Sequence, residues 1–451
     1  MRENEILKIY GTDYIDMTRI LLEEAGLAGQ IRETIKNRDP GLADPCIGIK
    51  PNLVTPSPAM FGATTHPEIV EGIILYLQEH GFTDLMICEG SWVGDKTSEA
   101  FEYCGFNTLA EKYGVQLLDT QKDSSFTVTC PISEQAAQKT THRTTHFPKQ
   151  FLPHNSSVHE KSVKRSADAD VLELHLCSCL NDIDFLINVP VLKGHCQTKM
   201  TCALKNMKGL IPNSEKRRFH SLGLHKPIAY LNSVIHQDFI VVDHICGDPD
   251  FEEGGDPLVT NCIMAALDPV LTDAYACQLL GYQADEVEYV RLAAEAGVGS
   301  NDLNMLEIRQ LYGNDPNQNQ KKNAPPDNDP VILTHKALQL NYATQEIDSC
   351  SACYSALTEA LHRLSEEGLL HKLTDELHVT FHIGQGYRGL SSPADVPDSD
   401  PSCIPERTSD RRIGIGNCTR LFTQNIPGCP PTGDEIYQYL RCFLAASISL
   451  K

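Results

Sequence analysis

From residue 46 onward, short apolar runs alternate with stretches of helical period. Cys46-Ile47-Gly48-Ile49-Lys50 reads as a buried strand, ended by Pro51-Asn52. Thr65-His66-Pro67-Glu68 has capping-box spacing with proline in the first turn, and Ile69, Ile73 and Leu77 follow at helical spacing, which predicts a helix that stops near Gly81. Asp84-Leu85-Met86-Ile87-Cys88 is a second strand, ending in Glu89-Gly90-Ser91, and another helical stretch runs to about Tyr113. The same alternation returns with strands at 185–189, 239–243 and 263–266 and helices at 198–208 and 269–280. This βαβα order predicts an α/β fold, a parallel or mixed sheet flanked by helices. Ligands of such sheets gather beyond the carboxyl ends of the strands, where Lys50, Glu89, Pro190 to His195, Asp243 and Asp268 fall.

Two stretches break the pattern. Residues 120–170 are rich in Ser, Thr, His and Lys with little period and read as a polar insertion. Residues 314–330, beginning Asn314-Asp315-Pro316-Asn317, have linker composition and divide an α/β domain of residues 1–313 from a smaller C-terminal α/β domain of 331–451. In the latter, helices are expected at 354–367 and 434–444 and strands at 378–383 and 412–415.

Charge narrows the function. The 451 residues carry 38 Lys plus Arg against 60 Asp plus Glu, a net −22, which argues against a general nucleic-acid binder or a protein held electrostatically on anionic lipid. No apolar run is long enough for membrane insertion, and the start, Met1-Arg2-Glu3-Asn4-Glu5, lacks the apolar stretch of a secretory signal, so a cytoplasmic location is expected. In that setting 17 cysteines favour free thiols and metal ligation over a disulfide framework.

Four of those cysteines lie in turn-like sequence. Cys350 and Cys353 form a Cys-x-x-Cys pair, Cys418 lies in Gly416-Asn417-Cys418-Thr419, and Cys429 precedes Pro430-Pro431. Iron–sulfur clusters take four thiolates, and a proline directly after a ligating cysteine recurs in ferredoxin-type sites. A structural zinc site usually repeats the short spacing in its second pair, which Cys418 and Cys429 do not. The expected cofactor is therefore a 4Fe-4S cluster, with zinc or a thiol–disulfide role as alternatives.

A second concentration lies between Lys193 and Lys226, where eight basic residues stand against the single acid Glu215 in an otherwise acidic chain. On the expected helix 198–208, Met200, Ala203, Leu204 and Met207 form an apolar stripe, leaving Lys199, Lys205 and Lys208 off it. A helix start after Lys193-Gly194-His195 would be an anion site. Lys50, Asn52, Lys199, Lys205 and Lys208 are the candidate substrate-binding residues. His195, Lys193 and His220 are the candidate catalytic residues, with His225 nearby. Asp268-Pro269 has the form of a helix cap.

The blocks Lys50-Pro51-Asn52-Leu53, Thr65-His66-Pro67-Glu68, Asn188-Val189-Pro190-Val191-Leu192-Lys193-Gly194-His195 and Leu204-Lys205-Asn206-Met207-Lys208-Gly209, with Asp268-Pro269-Val270, resemble the domain of unknown function 362 over about residues 45 to 300. The resemblance implies association with an iron–sulfur module and names no substrate. Gly428-Cys429-Pro430-Pro431 is similar to a cluster-ligand motif of respiratory-complex and hydrogenase small subunits. No second run of four closely spaced cysteines is present, so a two-cluster electron wire is not implied.

The leading expectation is an iron–sulfur oxidoreductase that acts on, or passes electrons to, a small anionic substrate, with a redox partner protein. One alternative is a non-redox isomerase or hydrolase using His195 and His220 with a second divalent metal, zinc or nickel, and a structural cluster. The other is a maturation protein that carries a cluster without turnover. Oligomeric state is not legible.

Overall fold

The computed structural model describes residues 1–131, 171–195, 197–255, 257–312, 339–347, 349, 351–390 and 411–449. The chain divides into two compact units, one of residues 1–194 and 200–333, the other of 195–199 and 334–451. No helix among the described residues is long and apolar enough to cross a membrane.

The first unit is built on an eight-stranded sheet whose order is Glu307–Tyr312, Glu5–Tyr10, Cys262–Ala266, Phe239–His244, Phe185–Val189, Ile47–Pro51, Leu85–Glu89 and Gln116–Asp119. Cys262–Ala266 runs antiparallel to both of its neighbours, and the other pairings are parallel. The mixed sheet expected from the βαβα order is thus present. Its inner strands, such as Ile47–Pro51, Leu85–Glu89 and Phe185–Val189, are buried on both faces, which is why they read as continuous apolar runs. Leu186, Ile240, Val242 and Met264 face one core, while Phe185, Ile187, Val189 and Val241 face the other.

Helices cover the sheet through the signals their sequences carry. Pro67–Glu79 has proline at its start and buries Ile69, Val70, Ile73, Ile74 and Leu77. The capping box read at Thr65 does not form. Thr65 Oγ instead donates to Val189 O at 2.8 Å and accepts from Asn52 N at 2.7 Å, binding two strand ends together. The stretch ending at Tyr113 is two helices, Thr97–Tyr103 and Phe106–Tyr113, separated at Gly105 with φ 82°. Asp268 caps Pro269–Leu279 by accepting from Val270 N at 2.8 Å and Leu271 N at 3.0 Å.

The largest departure is at 198–208. The structure has a hairpin of Lys193–His195 and Lys199–Thr201, then a four-residue helix, Ala203–Asn206, and a 3₁₀ turn, Met207–Leu210. Met200, Ala203, Leu204 and Met207 are all buried as the apolar stripe required, but on successive elements rather than on one helix. The insertion begins as an ordered strand, Ser125–Pro131, paired antiparallel with Val171–Cys177. Residues 132–170 and the expected linker lie outside the described residues.

The C-terminal unit carries a four-stranded parallel sheet in the order Thr344–Glu346, Thr380–Ile383, Arg412–Ile415 and Gln424–Ile426. Helices Ser351–Glu366 and Gly433–Ser449 supply Leu357, Leu361, Leu364, Ile436 and Leu440 to its core.

Candidate functional site

The carboxyl ends of Ile47–Pro51 and Leu85–Glu89 place Lys50 and Glu89 side by side. Lys50 is wholly buried and forms an ion pair with Glu89, itself 3% exposed, and its ammonium also donates to Pro51 O at 2.7 Å. Glu89 takes a further bond from Gly90 N at 2.8 Å. Gly209 lies directly over this pair. A Cβ there would stand 2.3 Å from Glu89 Oε1 and 2.5 Å from Lys50 Nζ, so the position has no room for a side chain. Gly90 is constrained in the same way, by Thr120 Oγ at 2.2 Å and Lys216 Nζ at 2.7 Å.

Buried amides extend this pair into the domain. Asn206 Oδ1 accepts from Asn52 Nδ2 at 3.0 Å, Asn206 Nδ2 donates to Asn188 Oδ1 at 2.7 Å, and Asn188 Nδ2 donates to Gln237 Oε1 at 2.6 Å. Asn52 Oδ1 in turn accepts from Lys193 Nζ at 3.3 Å. Satisfied networks of this kind fix the geometry of whatever they surround. Lys50 and Asn52, expected to touch substrate, therefore spend their polar atoms holding Glu89, Asn206 and Lys193 in place.

Around this network stand the lysines of the basic segment. Lys193 is 1% exposed and donates to Ala63 O and to Glu252 O, the latter at 2.7 Å. Burial and the charge of Lys205 pull its pKa down to about 7. Lys216 is held by Gly90 O at 2.8 Å and Ser91 O at 3.0 Å, and burial brings it down to about 8. Lys208 is held well below its ordinary value by burial and then by Lys205 and Lys216, and its ammonium has no hydrogen-bond or ion-pair partner among the described residues. His220 completes the group. Its Nδ1 is buried without a partner, and burial, Lys208 and Lys205 lower its pKa to about 3. Repulsion among desolvated cations is costly, and Lys208, with no partner of its own, is where an added negative charge would relieve most of it.

The remaining expected residues are placed as follows. Lys199 is exposed on the hairpin with φ 66°, and Lys205 is half-buried and donates to Thr201 Oγ at 3.1 Å. His195 Nδ1 accepts from Gln197 N and Thr198 N, each at 3.1 Å, so that nitrogen is committed to its own turn. His225 Nδ1 accepts from Tyr289 N at 3.2 Å and its ring stacks on Tyr289. The anion site expected at a helix start after Lys193-Gly194-His195 is not there. The helix is four residues long, and the buried Asp273 carboxylate already accepts from Ala203 N at 2.7 Å and Leu204 N at 3.2 Å. Glu89 is expected only as a strand-end residue, and Lys216, one of the eight basic residues of the segment, is not singled out, because nothing local marks a lysine on an amphipathic helix as inward-facing.

The family described as Domain of unknown function (DUF362) matches residues 47–155 and 150–278. The chain belongs to this family. No curated protein matches it in sequence. The DUF362 region contains the whole group just described, and its Leu204 to Gly209 block has a physical reading. Leu204 and Met207 enter the core, Asn206 centres the amide network, Lys205 and Lys208 carry charge, and Gly209 lets the turn close on Lys50 and Glu89.

In the C-terminal unit, Cys353 is buried in the first turn of Ser351–Glu366, with Sγ 3.4 Å from where a Cβ on Gly416 would lie. The loops bearing Cys418 and Cys429 leave adjacent strands and are joined by Asn417 N donating to Gly428 O at 2.8 Å and Gly428 N donating to Asn417 Oδ1 at 3.3 Å. Cys418 is half-buried and Cys429 exposed. Cys350 lies outside the described residues, and among those described no group of three or more His, Cys, Asp or Glu side chains is arranged to hold a metal ion. A cavity of about 430 Å³ lined by Leu340, Tyr342, His362 and His371 includes none of these cysteines.

Burial of uncharged imidazoles has a consequence for stability. His220 is lowered to about 3 by burial and the nearby lysines, and His244 to about 4 by burial and Lys8. Each takes up its proton near pH 6.5 when unfolded and only at these lower values when folded. Their contribution is therefore complete above pH 6.5 and lost as pH falls toward 4. Urea unfolding between pH 7 and 4.5 should show each costing about 1.4 kcal/mol per pH unit below 6. His220→Asn should remove its share of that slope, and an unchanged slope would contradict the assignment.

Proposed function

We propose that the DUF362 unit binds a small anion among Lys193, Lys205, Lys208, Lys216 and His220, and that the protein is an iron–sulfur oxidoreductase acting on that anion. The observation that carries the anion site is the unpartnered Lys208 ammonium within a group of lysines depressed first by burial and, for Lys193 and Lys208, then by neighbouring lysines. An oxyanion set against it would make charge-assisted hydrogen bonds and restore the ordinary protonation of its neighbours. The surrounding positive field disfavours a divalent cation at His220, so the non-redox metal reading has less support at that residue.

The redox half rests on the donor set of the C-terminal unit. Cys353, Cys418 and Cys429 are of the donor type a cluster takes, although among the described residues they are not drawn together as a metal-holding group. They stand at the carboxyl ends of parallel strands, against glycines at 416 and 428 with φ 88° and 148°, and Cys350 follows from the Cys-x-x-Cys pair. Cysteines on turns that need no side chain at the adjoining position can close around a bulky inorganic core. When bound, the cluster supplies one-electron chemistry. The chain's own residues do the rest. Lys208 and Lys216 neutralise the anion, and Lys193, held by the amide network through Asn52, is positioned to hold or release a proton near neutral pH.

Anaerobically purified protein should contain about four iron and four sulfide per chain, with visible absorbance that bleaches with dithionite. Cys418→Ala should lose the chromophore and the turnover together. Zinc without sulfide, or turnover that survives loss of the chromophore, would overturn the redox reading.

A further inference from the structure

A second constellation in the same unit takes no part in the lysine group. Asp243 ends the strand Phe239–His244, and its carboxylate is fixed by three donors: His66 N at 2.8 Å, His66 Nδ1 at 2.8 Å and Ile245 N at 3.1 Å. With Nδ1 bonded to the carboxylate, Nε2 is the ring nitrogen left to meet a further group. Nε2 stands 3.6 Å from Cys246 Sγ. A nucleophile within reach of a base that is itself oriented by a third group is the arrangement that activates thiols and hydroxyls in covalent catalysis.

The surroundings bear on what such a thiol meets. Tyr14 packs edge-on against the His66 ring and is bonded to Asn261 Oδ1 at 2.8 Å, and Glu68 is near enough for its charge to act on that phenol. The charged and titratable groups facing the pair are thus Asp243, Glu68 and Tyr14, two of them carboxylates that favour an imidazolium. Burial depresses His66, but Asp243 and the thiol outweigh it and raise the imidazole to about 10. Cys246 retains 5% exposure where Cys177 and Cys202 have none. Its Sγ donates to Ala59 O at 3.4 Å, in the turn Ala59–Phe61 that leaves Met60 and Phe61 68% and 49% exposed. Two large apolar side chains left in solvent beside a thiol fit an acyl chain better than a charged group.

We propose that Cys246, His66 and Asp243 form a nucleophilic site that accepts an activated acyl group, an ester or thioester. The proton shared by the thiol and the imidazole is held on His66 Nε2, and the thiolate sulfur bonds to the acyl carbon. The bond from that carbon to its leaving oxygen or sulfur then breaks, and the leaving group takes the proton from Nε2. Asp243 holds the ring throughout and balances its charge. The product is an acyl-Cys246 thioester, which water or a second nucleophile discharges.

Cys104 provides an internal comparison. It is 4% exposed and donates to Ser57 O at 3.2 Å, so its burial matches that of Cys246, but no imidazole bonds it. The full-length protein, treated with 4-nitrophenyl acetate, should release 4-nitrophenolate in a burst, with mass spectrometry placing acetyl on Cys246 about 100-fold faster than on Cys104, the scale of general-base assistance. His66→Gln should bring Cys246 down to the rate of Cys104. Equal rates at the two cysteines in the unmutated protein, which need no variant to measure, would overturn the proposal. So would alkylation of Cys246 by iodoacetamide without acetyl transfer, or a His66→Gln protein that acylates as fast as the parent.

Discussion

Glu89→Gln should destabilise the α/β unit by about 3–5 kcal/mol, the usual cost of removing one partner from a buried ion pair. The glutamine keeps the size of the side chain and can still accept from Gly90 N. It leaves the Lys50 ammonium with no opposing charge in a site where Lys50 has no exposed surface. Lys50 cannot turn toward water, because Gly209 closes on its Cε and Nζ and Pro51 O and Asn206 Oδ1 hold the far side. The double substitution Lys50→Met with Glu89→Leu removes both charges together and should recover most of the loss, since apolar replacement of a whole buried pair is close to neutral. Denaturant unfolding of the three proteins checks this. A Glu89→Gln protein within about 1 kcal/mol of the parent would mean that the pair is solvated, as exposed pairs of that worth are.

Lys208→Met should move stability and binding in opposite directions. The substitution removes a desolvated cation that repels Lys205 and Lys216 while keeping an unbranched chain of similar length, so the unfolding free energy without ligand should be unchanged or raised by about 1 kcal/mol. Affinity for a small dianion should fall about 10- to 100-fold, the worth of one charge-assisted hydrogen bond. A purely structural lysine would lose stability on substitution and leave binding alone. Thermal unfolding with and without sulfate reads both effects in one series, because a ligand stabilises the folded state by an amount that grows with the ratio of its concentration to its Kd.

The same cations set a pH dependence of the same sense as that of the histidines, at higher pH. Lys193 and Lys216 release their protons near 7 and 8 when folded but near 10.5 when unfolded. They therefore oppose folding most at and below neutral pH, and that opposition lifts as pH rises from about 7 toward 10.5. A bound anion would cancel it by restoring their protons.

How far these features are legible in sequence depends on whether the cause is local. Ile47–Pro51, Phe185–Val189 and Phe239–His244 announce themselves, because strands buried on both faces must be apolar throughout. Glu5–Tyr10 does not, although it is buried, because Glu5 and Lys8 interrupt it and are satisfied by Arg309 and the Tyr275 hydroxyl far along the chain. The stripe at Met200, Ala203, Leu204 and Met207 fits a single helix equally well. What shortens it is Asp273, about seventy residues away, seating the amides of Ala203 and Leu204. The excess of lysine between 193 and 226 points to the right region from composition alone. Composition does not say which lysines turn inward, so Lys216 is counted in the segment without a role while Lys199, which is exposed, is given one. His66 and Cys246 were equally silent, being 180 residues apart and brought together by the carboxyl ends of two strands.

Calorimetric titration with sulfate at pH 8, in two buffers of different ionisation heat, tests the anion site most directly. At that pH Lys193 is largely uncharged and Lys216 is half-titrated, so binding must draw protons from the buffer and the apparent enthalpy must change with buffer identity. The account predicts net proton uptake in the parent protein and its reduction in Lys208→Met. Absence of binding, or binding with the same heat in both buffers, would contradict it.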